Sequence, residues 1–144
     1  MPRLLGDDFL VPSLTPHNTP YFTAGSIQIQ FCKDCGHAQH PPDDLCYACR
    51  GKNLEFRAMP GSGRVESAVV VHHSVHPALK TKVPYAVAVI SVDGAPGCNV
   101  MGNVVGCAPE TVKIGDRVRA FFDEVKSPQN GATLKIPNWK QAAS

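Results

Sequence analysis

Charge, aromatic rings and long apolar runs are all scarce in this chain of 144 residues, and each scarcity removes a class of function. Charged residues make up 18% of the chain and the formal net charge is only +2, so nothing in the balance calls for a polyanion as partner. No basic run exceeds two residues, and aromatics amount to 7% with a single tryptophan. A single-strand nucleic-acid groove needs both charge and stacking platforms, and this chain offers few of either. No apolar stretch approaches the length of a membrane span. Met1 to Pro12 mixes Arg3, Asp7 and Asp8 with its apolar residues and has no apolar core of signal-peptide length. The expectation is a cytoplasmic protein with reduced thiols and no membrane segment. A hydrophobic share of 43% suits one small globular domain with a minor module attached.

Against this background the cysteines stand out. Cys32-Lys33-Asp34-Cys35 and Cys46-Tyr47-Ala48-Cys49 form two matched pairs separated by ten residues. Each pair is a knuckle that aims both sulfurs at one point, and the separation lets the two close tetrahedrally around one Zn²⁺. Four thiolates saturate the ion and leave no position for water or substrate, so the site is read as structural. Gly36 supplies the positive φ that turns backbone N–H groups toward the thiolates of the first knuckle. The second knuckle is followed by Arg50 and only then by Gly51, a departure from the symmetric pattern. Disulfides or a redox pair are the competing reading of the same cysteines.

The chain divides into an arm with a short helix (1–25), the zinc module (26–59), a β domain (60–137) and a tail (138–144). Residues 1–18 hold Pro2, Pro12 and Pro16 with little periodicity, as an extended arm does. Thr19-Pro20 opens one helical turn behind a capping hydroxyl, and Gly25 closes it. Ile27 and Ile29 alternate with Gln28 and Gln30, which makes a strand leading into the first knuckle. Beyond the hinge Pro60-Gly61-Ser62-Gly63, five strands are expected: Arg64–Val75, Tyr85–Asp93, Asn99–Val105, Asp116–Glu124 and Thr133–Ile136. Asp93-Gly94 and Pro96-Gly97 mark a hairpin connection, and Ala108–Val112 has room for a helical turn. Five strands with a short helix between the third and fourth is the plan of an OB barrel, so the fold is mainly β. The strand at Tyr85 is apolar on both faces, with Tyr85, Val87 and Val89 opposite Ala86, Ala88, Ile90 and Val92. One face lines the barrel. The other needs cover from the zinc module, the arm or a partner molecule.

In this order, several segments together resemble the DUF35 family, OB-fold proteins with a rubredoxin-like zinc ribbon that associate with acyl-CoA-processing enzymes. They are Asn18-Thr19-Pro20-Tyr21-Phe22, Gln30-Phe31-Cys32-Lys33-Asp34-Cys35-Gly36, Pro41-Pro42, Cys46-Tyr47-Ala48-Cys49, Gly63-Arg64-Val65, Val83-Pro84-Tyr85-Ala86-Val87-Ala88 and Val112-Lys113-Ile114-Gly115-Asp116. The resemblance spans nearly the whole chain. It implies a non-catalytic accessory subunit in a hetro-oligomer, with acyl-CoA as a ligand of the complex and one structural zinc per chain. A thiolase is the first expected partner. A MaoC-like enoyl-CoA hydratase or an aldolase is the alternative.

Candidate acyl-CoA contacts lie where the first barrel strand gives way to a long loop. His72, His73 and His76 begin it, Lys80 and Lys82 follow, and Tyr85 ends it. In an OB barrel this loop borders the ligand face, and lysines there can meet coenzyme A phosphates through charge-assisted hydrogen bonds. A solvated polar loop is the plainer reading. Lys33, Arg50, Lys52, Arg57 and Arg64 surround the zinc module, where they offset the charge of a tetrathiolate site. Trp139, just past the last expected strand, is either folded back on the barrel or a partner-interface anchor. Cys98 and Cys107 are read as packing thiols, and no catalytic couple is expected. An OB protein binding single-stranded nucleic acid is the rival from another class.

Overall fold

The computed structural model describes residues 11–142, so most of the expected arm over 1–18 lies outside the described residues. The chain runs through a helical turn α1 (Thr19–Thr23) and strands β1 (Gln28–Cys32), β2 (Ala38–Gln39) and β3 (Leu54–Ala58). There follow β4 (Ser62–Val71), β5 (Tyr85–Val92), β6 (Asn99–Val104), β7 (Arg117–Lys126) and β8 (Thr133–Gln141). Short 3₁₀ turns sit at Pro77–Leu79 and Pro109–Thr111. The first three strands form an antiparallel sheet in the order β2-β1-β3, and the last five close into a barrel in the order β4-β5-β6-β8-β7. This is the mainly β plan of ribbon and five-stranded OB barrel expected from the spacing of strands and turns.

Pro20 takes an early position in α1, where its missing N–H is not needed. Asn18 rather than Thr19 is the capping residue, and Gly25 ends the turn with φ of 74°. β5 alternates strictly. Ala86, Ala88, Ile90 and Val92 are buried, while Tyr85, Val87 and Val89 stand on the outer face, partly exposed. The ribbon contributes to the same core. Ile27, Ile29, Phe31 and Ala38 join Val65, Ile90, Val118 and Trp139 in one continuous hydrophobic cluster, so ribbon and barrel bury each other's apolar surface.

Two strand ends differ from expectation. β4 stops at Val71, which leaves His72, His73 and His76 beyond the sheet, so they share no strand face. β8 runs on to Gln141 instead of ending at Ile136, because it keeps pairing with β7 as far as Val118↔Gln141. Pro137, which looks like a stop in the sequence, lies inside β8 opposite Phe122. On its other side β8 meets β6 only at Val104↔Trp139, so a missing N–H at Pro137 falls on an open edge.

The longer strand relocates Trp139. Its exposure is 0%, and it is the largest fully buried side chain among the described residues. The tail anchor expected from sequence is therefore corrected: a side chain wholly inside the barrel has no surface left to offer a partner. Room for the indole comes from Gly102, paired with Ala88, where an added Cβ would lie 2.7 Å from the indole Cδ1. Gly63 serves a similar close approach, since a Cβ there would meet the Ser91 carbonyl oxygen at 2.4 Å. Asp93 pins the β5–β6 turn to β7 through Arg117. The guanidinium beside it, helped by the Ser62 hydroxyl, holds the Asp93 carboxyl below its usual range.

Trp139→Ala is expected to lower unfolding stability by about 3–5 kcal/mol, the cost of an unfilled core cavity. Lys140→Ala, one residue along and exposed, should stay within about 0.5 kcal/mol. Denaturant titration of the two variants checks this, and equal small effects would place the indole outside the core.

Candidate functional site

The four cysteines of the two knuckles meet at the end of the ribbon. Their Sγ atoms all lie within 4.8 Å of one another, with Cys32 to Cys49 at 3.7 Å and Cys35 to Cys46 at 3.5 Å. Sulfurs at the corners of a tetrahedron around zinc stand about 3.8 Å apart, given Zn–S bonds of about 2.3 Å. The donor set therefore fits Zn²⁺. Each knuckle is closed by the same pair of backbone bonds. Gly36 N–H donates to Cys32 O and Cys32 N–H to His37 O, at 2.8 and 2.9 Å. In the second, Arg50 N–H donates to Cys46 O and Cys46 N–H to Gly51 O, both at 2.9 Å.

This equivalence explains the offset glycine. Arg50 occupies the position of Gly36 and takes the left-handed conformation itself, with φ of 63° against 79°. Gly51 is needed for space instead. A Cβ there would lie 3.2 Å from both Cys49 Sγ and Asp34 Oδ2.

The thiols are not equivalent. The N–H groups of Cys49 and Ala48 donate to Cys46 Sγ at 3.5 and 3.4 Å and hold its thiol down at about 6. Cys35 accepts a similar bond from His37, yet its thiol is pushed up to about 12 by the neighbouring sulfurs, Cys46 foremost, and by burial. Four thiolates repel one another, and a divalent cation at their centre removes that repulsion.

A buried amide pair, which sequence reasoning missed, carries the second knuckle to the first. Gln39 Nε2 donates to Gln30 Oε1 at 2.6 Å and to Leu45 O at 3.0 Å. Gln30 binds both the N–H and the carbonyl of Asp43 at 2.9 Å, and Gln39 Oε1 accepts from Tyr47 N–H at 2.8 Å. Both glutamines are buried, at 4% and 2% exposure, under the 40–47 loop.

The candidate acyl-CoA residues are dispersed. His72 and His73 are exposed beyond β4, and His76 Nδ1 accepts from Ala78 N–H at 3.2 Å, capping the 3₁₀ turn. Lys80 is exposed on the same loop. Lys82 and Tyr85 do come together, on a groove of about 320 Å³ that also takes in Thr81, Pro84, Val105 and Cys107. The cations around the zinc module are partly engaged by acids. Lys33 and Arg57 both reach Glu55, at 3.9 and 2.6 Å, Arg64 reaches Glu66 at 3.6 Å, and Arg57 also covers the Phe31 ring.

Two apolar features complete the surface. The register sets Val69 and Val71 beside Val87 and Tyr85, and Val89 beside Met101, on the outer face of β4, β5 and β6. Val69 is 58% exposed and Met101 70%. Tyr85 is the aromatic ring among these residues, a sparse platform for stacking successive bases, which weakens the nucleic-acid reading. Next to this face, a cleft of about 490 Å³ opens between α1, the ribbon and β6. Tyr21, Phe22, His40, Phe56, Asn99 and Met101 are among its walls.

Comparison with known proteins agrees with this architecture. Residues 27–55 match the family model for the ChsH2 rubredoxin-like zinc ribbon domain, and residues 56–123 match that for the ChsH2 C-terminal OB-fold domain. A probable enoyl-CoA hydratase alpha subunit of Thermomonospora curvata is 33% identical over 107 residues, 72% of this chain and 32% of that protein. A DUF35 domain-containing scaffold protein of Methanocaldococcus jannaschii is 36% identical over 96 residues, 66% of each chain. Its counterpart in Methanothermobacter thermautotrophicus is 32% identical, with 70% of its length covered. A solved structure described as an Ltp2-ChsH2(DUF35) aldolase superposes with a TM-score of 0.77 at 29% identity, covering 92% of this chain and 100% of that one. The chain thus spans about a third of the Thermomonospora protein and about two thirds of the Methanocaldococcus one.

Elemental analysis of the purified chain should find one zinc per molecule. Cys46→Ser should lose the metal and the cooperative unfolding of the ribbon with it, because the binding energy of a structural metal is folding energy. Unchanged metal content and melting in the variant would remove zinc from the site.

Proposed function

The chain belongs to the DUF35 family, and from that premise we propose that it is an accessory subunit which docks on an acyl-CoA-processing enzyme and takes no part in bond making itself. The outer face of β4, β5 and β6 carries the proposal. This face presents Val69, Val71, Tyr85, Val87, Val89 and Met101, with Ser67 beside Val89 and Asn103 beside Val87 as its polar members, so it is more apolar than a sheet face turned to water. Neither the ribbon nor α1 shields its two most open members, Val69 and Met101. A partner of matching apolar character is the cover that remains among the alternatives the sequence raised, the undescribed arm apart.

The names of the relatives bear on what the partner is. One is a hydratase alpha subunit and another is described as an aldolase assembly, so a hydratase or aldolase takes precedence over the thiolase expected from sequence. A catalytic role for the chain's own thiols finds little support. Cys98 is buried, and burial pushes its thiol up, away from the thiolate a nucleophile needs.

Acyl-CoA is then a ligand of the assembled complex. Lys82 and Tyr85 share the groove at the start of β5, with Lys80 on the same loop, and these are the positions from which the chain would reach the nucleotide phosphates.

Two measurements test this reading. Affinity capture from lysate, using the tagged full chain, should retrieve a hydratase-type or aldolase-type enzyme. Val69→Lys combined with Met101→Lys should lose that enzyme while keeping zinc and melting temperature. Turnover of acyl-CoA by the purified chain alone would refute the accessory role. In the reconstituted complex, Lys80→Ala with Lys82→Ala should raise the KM for acyl-CoA several-fold, roughly what one or two charge-assisted hydrogen bonds supply, and leave assembly intact. An unchanged KM would take the two lysines out of the site.

A further inference from the structure

One edge of β4 is left unpaired over half its length. On one side the strand pairs with β5 as far as Val71↔Tyr85. On the other it closes the barrel against β7 only from Ser62↔Arg119 to Arg64↔Arg117. Val65 adds two bonds to the turn before β7, its N–H donating to Asp116 O at 2.9 Å and its carbonyl accepting from Gly115 N–H at 2.8 Å. Past Val65, no backbone group on this second edge has a partner among the described residues. None of residues 66–71 is buried, so the edge stands open to water.

A row of unpaired N–H and C=O groups is a template for another strand, and folded proteins blunt such an edge with lysine, proline, shortness or a bulge. Here Ser67, Ala68, Val69, Val70 and Val71 carry neither charge nor proline. The bulge between Val65 and Ser67 lies before them and leaves a regular stretch as long as an ordinary strand. Three consecutive valines favour the extended backbone that pairing needs. Such an edge fits strand addition, in which main-chain bonds join two sheets.

The residues along the edge indicate what the second strand is. A copy of the same edge, laid antiparallel and centred on Val69, opposes Ser67 with Val71, Ala68 with Val70 and Val69 with itself. At each end Glu66 then meets His72 of the second copy, a carboxylate opposite an imidazole that donates an N–H in either protonation state. Both residues are exposed, and within its own chain Glu66 touches Arg64 at 3.6 Å. A register centred one residue later would set Glu66 against Ser74 and lose the pair. The edge is complementary to itself in polarity and charge, as the contact of a two-fold dimer has to be.

We propose that two copies of this chain pair through the free edge of β4, joining their barrels into one sheet across a two-fold axis at Val69. The pairing uses the strand edge and leaves the outer face of β4, β5 and β6 free, so it neither depends on the enzyme docking proposed above nor competes with it. A single strand pair is at the small end of protein interfaces, and the dimer is expected to be weak and reversible.

Sedimentation velocity of the zinc-loaded full chain, from low micromolar to submillimolar concentration, should show a monomer–dimer equilibrium. Amide hydrogen exchange at the two ends of that range should show alternate amides of residues 67–71 gaining protection in the dimer. His72→Glu sets like charges opposite each other at both ends of the pair. It should weaken the dimer about tenfold, the swing of two cross-strand charge pairs from attraction to repulsion. Adding Glu66→Lys to it makes each pair attractive again and should recover most of the loss. Met101→Lys puts a charge on the outer face away from the edge and should leave the dimer unchanged. Zinc content and melting temperature establish that the variants are folded. A monomer at every concentration, a dimer lost in Met101→Lys, a dimer indifferent to His72→Glu, or a loss that Glu66→Lys does not reverse would overturn the proposal. So would a monomer whose 67–71 amides gain protection only when the captured enzyme is added, since the edge would then belong to that enzyme.

Discussion

The ribbon depends on the cation that its four thiols are placed to hold. The ribbon sheet has a two-residue strand at one edge and five-residue strands beside it, too little pairing to stand without a clamp. Closing the knuckles fixes the ends of β1 and the start of β3, and the Gln30–Gln39 pair then ties down the 40–47 loop between them. With that loop in place, Ile27, Ile29 and Phe31 present a firm apolar face to the barrel. The same loop sets His40, Pro41 and Pro42 against α1 and β6, so the cleft inherits its shape from the metal site.

The barrel solves a different problem, the housing of one indole in a small closed sheet. Trp139 fills the interior, and the residues facing it are correspondingly small: Gly102 lies against the ring and Ala88 pairs with Gly102. The indole takes up the interior space that a small barrel has to offer. The described clefts lie outside the barrel, at the junction with the ribbon and at the groove of Lys82 and Tyr85.

Local signals and long-range ones differ in how far they could be read. The paired cysteines, the early Pro20 in α1 and the turn glycines act over a few residues, and the elements they imply are present. Arg50 is instructive in the same way, since the missing glycine after Cys49 marks a real left-handed turn made by a residue other than glycine. Errors arose where a local signal was outweighed. Pro137 reads as a stop, but pairing with β7 carries β8 past it. Val71 to Val75 reads as continuing strand, but β5 starts at Tyr85, opposite Val71, and leaves nothing for the later residues to pair with.

The sequence by itself determined the metal centre, the order of ribbon and barrel, and the two-faced apolar character of β5, because each is written in spacings of two to four residues that backbone geometry translates directly. Tertiary structure alone decided which face of β5 is core, that Trp139 belongs inside, and that α1, His40 and β6 converge on one cleft. Those outcomes follow from barrel closure and from the shared core of ribbon and barrel, which bring together residues separated by most of the chain's length and leave no periodic trace in it.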